Sequence, residues 1–218
     1  MEQATPKTTQ QLHPEQSAIE PVESCEQRGA PRFSLLMRSA KLIYGGGEFV
    51  CILRDVSDVG ISVRMFHTPP SGDRVELQMP GGGSYELRPV WSRDFEAGFE
   101  FATPIDVARL IGEVDDFPKR GVRLGLCFPI RITSSTEACE GFVENLSQQG
   151  ARFHCDHLFA IDQALQIESA NRYESAVNLR AKVRWRKDND YGVVFDDTFT
   201  LADFARFAAR LQAPGLLD

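Results

Sequence analysis

Two arginines four positions apart, Arg28 and Arg32, stand just ahead of the first long apolar run, and Asp55-x-Ser57-x-x-Gly60 closes the run after it. Arginine presents a planar fork of donors that grips guanine O6 and N7 together, or a phosphate, and it stacks on a base face. A carboxylate or amide oxygen accepts from the N–H donors of guanine, and a serine hydroxyl suits a phosphate or a sugar. Glycine lets the backbone turn tightly and lets a ligand come close. These residue types suit a guanine nucleotide. Each piece also has a plain structural reading. Loop arginines are commonly just solvated, and Asp and Ser cap turn amides while Gly supplies a positive φ. The combination is more specific, because Trp91 and then Gly98-Phe-Glu-Phe101 follow in the same order and the whole order occurs twice.

The second copy runs from Lys119-Arg120-Gly-Val-Arg123 through Asn145-x-Ser147-x-x-Gly150 to Trp185, Gly192 and Phe195. Trp91, Gly98 and Phe101 stand 94 positions before their counterparts, Asp55, Ser57 and Gly60 stand 90 before theirs, and Arg32 stands 91 before Arg123. Offsets that drift by a few residues fit loop insertions between equivalent strands, so the chain reads as two copies of one domain. The second copy departs from the first in its arginine segment. Lys119 takes the place of the first arginine and lacks the bidentate fork, and Arg120 sits one residue too close. Asn145 keeps an amide oxygen where the first copy has a carboxylate. The first copy is therefore expected to hold the better site, with the second either a weaker site or a structural partner.

The elements that must position these residues are short and β-type. Leu35–Tyr44, Phe49–Leu53, Ile61–Phe66, Val75–Met79, Tyr85–Trp91 and Gly98–Phe101 read as strands, separated by Gly45-Gly46-Gly47, Ser57-Asp58-Val59-Gly60 and Gly81-Gly82-Gly83. Short strands at this spacing predict an all-β barrel or sandwich. The period then changes. Val107, Leu110, Ile111 and Val114 recur at helical spacing, which predicts an amphipathic helix over Pro104–Val114 with the proline in its first turn. The second half repeats this with strands over Leu126–Ile132, Phe142–Asn145, Ala151–Cys155, Ala164–Ile167, Ala176–Trp185 and Tyr191–Phe195. A closing helix over Thr200–Leu211 turns Leu201, Phe204, Ala208 and Leu211 inward. Trp91, Trp185 and the phenylalanines are expected to fill cores. The expected organisation is an acidic tail over residues 1–27, a first domain over 28–117 and a second over 118–218.

Bulk properties narrow the function further. The net charge is −7, which argues against bulk binding to DNA, RNA or an anionic membrane, although a few arginines can still hold a small anion. The tail carries one lysine against five glutamates and has little to bury, so it reads as disordered. Five cysteines without a CxxC pair suit free thiols in a reducing cytoplasm. There is no signal-peptide core and no apolar run long enough to span a bilayer, so a soluble cytoplasmic protein is expected. His154-Cys155-Asp156-His157 contains metal-ligand types. However, His154 and Cys155 would face opposite sides of a strand, and no second cluster completes a site, so no metal is expected. The triple glycines lack the Gly-Lys-Ser/Thr of a phosphate loop and read as turns. No nucleophile elbow or zinc-protease motif is present.

Arg28-x-x-x-Arg32 followed by Asp55-x-Ser57-x-x-Gly60 resembles the signature of PilZ domains, and the Trp91…Gly98-Phe-Glu-Phe101 ending is similar to that family too. The resemblance implies two tandem six-stranded antiparallel β-barrels, each followed by a helix, an all-β fold with peripheral helices. It implies a receptor for cyclic di-GMP and no other cofactor. The ligand would be wrapped by the arginine loop, with Arg28, Arg32, Asp55, Ser57 and Gly60 as its residues. Lys119, Arg120, Arg123, Asn145, Ser147 and Gly150 would form a possible second site. Neither GGDEF nor EAL occurs, so a receptor is expected and not an enzyme. Its output would be a changed surface offered to an unidentified protein partner in motility, biofilm or polysaccharide production. The alternative is a PilZ-like protein-interaction module that ignores the nucleotide.

Overall fold

The structure is a computed structural model that describes residues 33–69, 74–116, 121–169 and 178–217. The first unit contains β1 (Phe33–Tyr44), β2 (Gly47–Val56), β3 (Gly60–Arg64), β4 (Val75–Gln78), β5 (Ser84–Arg93) and β6 (Glu96–Phe101), followed by α1 (Val107–Asp116). The strands are joined antiparallel in the order β1-β2-β3-β6-β5-β4, and β4 returns to β1 to close a barrel. The second unit contains β7 (Arg123–Leu124), β8 (Phe128–Thr133), β9 (Ala138–Ser147), β10 (Gly150–His154), β11 (Ala164–Ser169), β12 (Asn178–Lys187) and β13 (Asp190–Phe195), followed by α2 (Leu201–Gln212). Its order β10-β13-β12-β11-β8-β9 closes through β9–β10, and β7 adds a short extra strand outside β9. Two closed six-stranded antiparallel barrels in tandem, each followed by a helix, match the expected fold class.

Alternation explains the barrels. Leu53, Val63, Leu77 and Leu87 point inward in the first, and Ile132, Phe153, Val183 and Tyr191 in the second, all fully buried. The β1–β2 hairpin turns on Gly45 and Gly46 with φ of 56° and 80°, a two-residue turn that needs positive φ at both positions. The equivalent β5–β6 and β12–β13 turns both place an aspartate at positive φ, Asp94 at 51° and Asp188 at 55°. The repeat seen in the sequence thus extends to backbone conformation.

The helices differ from expectation at their starts. α1 begins at Val107 because Asp106 caps it, its carboxylate accepting from the amides of Ala108 and Arg109 at 2.9 and 3.3 Å. Pro104 therefore lies before the helix and not in its first turn. α2 is capped by Thr200, whose hydroxyl accepts from the Asp203 amide at 3.1 Å. α2 also joins the two units. Phe204 and Ala208 pack into the second barrel, whereas Ala209 belongs to the core of the first, and Val50 of β2 belongs to the core of the second. Gln212 extends the joint like a strand residue: its Oε1 accepts from the Glu48 amide and its Nε2 donates to the Glu48 carbonyl, both at 2.7 Å.

Candidate functional site

Four residues form one outward row across four strands of the first barrel. Asp55 on β2 pairs with Ser62 on β3, Ser62 with Gly98 on β6, and Gly98 with Trp91 on β5. The second barrel repeats the row as Asn145, Arg152, Gly192 and Trp185. Motif pieces some forty residues apart in sequence thus become lateral neighbours on one sheet face.

Two bulges build each row. In β5 Leu87 is buried, and strict alternation would also turn Trp91 inward. A bulge between Pro89 and Trp91 inserts one residue and reverses the parity. β12 does the same between Val183 and Trp185. Both indoles, expected in cores, instead lie on the outer face and are 45% exposed. Each lies flat over a glycine: a Cβ on Gly98 or Gly192 would meet the Trp Nε1 at 2.0 Å. A second bulge sets the other end of the row. Register shifts between Leu53 and Asp55, with Arg54 as the extra residue, and in the second barrel Glu144 is extra between Val143 and Asn145. Asp55 and Asn145 therefore face outward although they follow inward residues by two.

The Asp55 carboxylate accepts from the Ser62 hydroxyl at 3.1 Å, and the Ser62 oxygen accepts from the Asp55 amide at 3.3 Å. Ser57 is buried and faces its own turn. Its hydroxyl donates to the Gly60 carbonyl at 3.3 Å and accepts from the Gly60 amide at 3.1 Å. Ser147 closes the same turn on Gly150 at 3.0 Å. Neither Gly60 nor Gly150 has a positive φ. Each is glycine because the neighbouring strand is too close: a Cβ would meet the Phe99 carbonyl oxygen at 2.9 Å and the Val193 carbonyl oxygen at 2.1 Å.

Arg28, Arg32, Lys119 and Arg120 lie outside the described residues, as does the tail. Arg123 is placed. It pairs with Ser147, as Leu124 pairs with Leu146, and the equivalent pair in the first barrel is Phe33 with Val56. Arg123 and Ser147 line an open cleft of about 620 Å³ between the barrels, with Gln148 and Thr198 beside them and Lys41 and Gln78 of the first barrel opposite. Among the described residues, two cations and no carboxylate line this cleft, in a chain of net charge −7. Lys41 is ion-paired with Glu48 at 2.9 Å, and Glu48 also accepts from the Gly125 amide at 2.6 Å.

Sequence reading missed Ser62, Arg152 and the contribution of Lys41 and Gln78 from the opposite barrel. The first two carried a signal, since each stands two residues after its motif glycine and so shares that residue's outward face. The cleft carried none, because it depends on how the barrels dock. Of the His154-Cys155 pair, His154 is exposed and Cys155 buried. Among the described residues no group of three His, Cys, Asp or Glu side chains is placed to hold a metal. No helix among them is long and apolar enough to cross a membrane.

The PilZ domain profile matches residues 26–113 and again residues 119–211. No curated protein matches the chain. Among solved structures, the chain is similar to the Borreliella burgdorferi PlzA protein in complex with c-di-GMP, at 11% identity and a TM-score of 0.36 over 79% of this chain and 87% of that one. It is similar to Escherichia coli YcgR in complex with c-di-GMP, at 11% identity and a TM-score of 0.36 over 82% and 86% of the two chains. It is also similar to the Bacillus subtilis inhibitor of motility MotI, at 11% identity and a TM-score of 0.35 over 83% and 99%.

Proposed function

Because the chain belongs to the PilZ domain family in both its halves, we propose that it is a cytoplasmic receptor for cyclic di-GMP that acts by binding and not by catalysis. The observation that carries this reading is the outward row, an acceptor at one end and a half-exposed indole at the other, built twice by paired bulges. In the first site Arg28 and Arg32 grip the ligand while Asp55 accepts from a guanine edge. In the second Lys119, Arg120 and Arg123 do so, with Asn145 as the acceptor. Ser57 with Gly60, and Ser147 with Gly150, shape the turns that carry these residues. The open face of each indole suits a base ring. Lys41 and Gln78 face Arg123 and Ser147 across the cleft, so a ligand bound there biases how the barrels sit and changes the surface offered to a motility, biofilm or polysaccharide machine.

Calorimetric titration of the full chain with cyclic di-GMP tests the reading. Heat of binding in the micromolar range is expected. Asp55→Ala and Asn145→Ala should each weaken one site about tenfold or more, the loss expected when a buried polar edge goes unpaired. Absence of heat and of competition at tens of micromolar would sink the receptor. A protein partner whose affinity ignores the nucleotide would favour the interaction module instead.

A further inference from the structure

We infer that Arg152 grips the guanine of a ligand bound to the second barrel and stands in for the arginine that Lys119 replaces; this rests on the receptor reading above.

Arg152 stands at the centre of the row, opposite Asn145 on one side and Gly192 on the other, with Trp185 lying over that glycine. Its neighbours are therefore an unpaired acceptor edge and an open aromatic face. No hydrogen bond joins the Asn145 side chain to another described residue. A base stacked on Trp185 and read by Asn145 must pass Arg152. The guanidinium is open to it, since the side chain is 42% exposed.

Its fork is held in a fixed orientation. Asp190 Oδ2 lies 2.6 Å from Nη2 and accepts from it. Glu144 Oε2 lies 2.8 Å from Nε as an ion pair, although the N–H is not aimed at it. Both carboxylates sit on the Nε–Nη2 side, and Nη1 has no partner among the described residues. That leaves an end-on donor pair for the O6/N7 edge of guanine, and a pre-oriented fork loses less freedom on binding than a solvated one. Asp190 is anchored in turn by His154 Nδ1 at 3.0 Å. The Asp190 carboxyl is held below the usual carboxylate range, first by His154 and then by Arg152, so it stays ionised.

The two copies make the substitution intelligible. The first barrel has Arg28 and Arg32 ahead of β1 and only Ser62 at the row centre. The second has Lys119 at the first loop position and an arginine at the centre. Ser147, the partner of Arg123, lies two residues along β9 from Asn145, the partner of Arg152, so the two arginines sit on strands on opposite sides of β9 at register positions about 7 Å apart along it. A purely structural strap tying β9, β10 and β13 would explain the ion pairs but not the unused Nη1.

The test is calorimetry with cyclic di-GMP on the full chain carrying Arg32→Ala and Asp55→Ala, so that the second barrel reports alone. Adding Arg152→Ser, the residue the first barrel already tolerates there, should weaken binding about ten- to hundredfold. Arg152→Lys, which keeps charge but not the fork, should recover only part, and it decides the matter if the serine variant folds poorly. Unchanged affinity in either variant overturns the inference. So does a parent that no longer binds while the wild-type chain does, because the second barrel then has no site and the receptor stands without it. A wild-type chain that shows no binding overturns the receptor reading itself.

Discussion

In the first barrel Ser62 stands between Asp55 and Gly98 and donates to the carboxylate at 3.1 Å. In the second Arg152 stands between Asn145 and Gly192 and pairs away from the amide, with Glu144 and Asp190. Everything that carries the row is the same in both: the two bulges, the indole over glycine, the serine-closed turn. Only the polar residues change: Ser62 against Arg152 at the centre and Asp55 against Asn145 at the acceptor end. The first barrel offers a fixed negative end and relies on loop arginines for positive charge. The second offers a neutral amide and carries a guanidinium on the sheet itself. The comparison separates a scaffold that demands particular backbone geometry from a chemistry that can be redistributed between loop and strand.

The largest effect that tests the scaffold half is at the motif glycines. An alanine Cβ at Gly150 would sit 2.1 Å from the Val193 carbonyl oxygen, whereas at Gly60 it would sit 2.9 Å from that of Phe99. Backbone on a neighbouring strand cannot move aside like a side chain. Gly150→Ala should cost about 3 kcal/mol and Gly60→Ala about 1 kcal/mol, within the range for overpacking. Urea unfolding of the two variants checks the order. Equal losses would mean that the second turn is no more tightly seated than the first.

The strands and the repeat were legible because each depends on local alternation or on a turn signal. The indoles were misread for an identifiable reason. A bulge adds one residue and reverses which face follows, and neither Val90 nor Arg184 marks such an insertion by type. Pro104 was misread because proline and aspartate both suit a helix start, and here Asp106 supplies the bonds. The cleft was invisible because it is set by docking: Val50 is buried against the second core and Ala209 against the first.

A smaller effect tests whether the two barrels act as one body. The Gln212 side chain makes two 2.7 Å hydrogen bonds to the backbone of β2, across 164 residues of chain. Gln212→Ala should remove about 1–2 kcal/mol of joint stability, and more if the Glu48 amide is left unpaired. Thermal unfolding should broaden or split as the barrels lose their shared transition. An unchanged single transition would show that the apolar contacts of α2 suffice to join them.

The smallest effect distinguishes the barrels by their response to acid. His67 in the first barrel is 1% exposed, with its ring against Phe49 at 5.2 Å. Its Nδ1 lies 2.9 Å from the Thr68 carbonyl and so carries the proton, and its Nε2 has no partner among the described residues. Burial pushes its pKa below 6.5, only partly opposed by that hydrogen bond. The unfolded chain therefore takes up a proton near pH 6.5 while the folded chain stays neutral, so this group favours folding above pH 6.5 and progressively less as pH falls toward its folded value. The Asp190 carboxyl of the second barrel is held below 3.8. Its contribution is complete above that value and is lost only as pH falls through the lower, folded one. Between pH 6.5 and 4 the first barrel should thus weaken while the Asp190 pair holds. Since Thr68 donates its amide to the Leu216 carbonyl at 3.1 Å, the loss should appear where the C-terminal segment meets the first barrel. Hydrogen exchange at pH 7 and pH 5 checks this, with His67→Gln as the control that should flatten the difference. Retention of the full pH dependence in that variant would move its origin to another group.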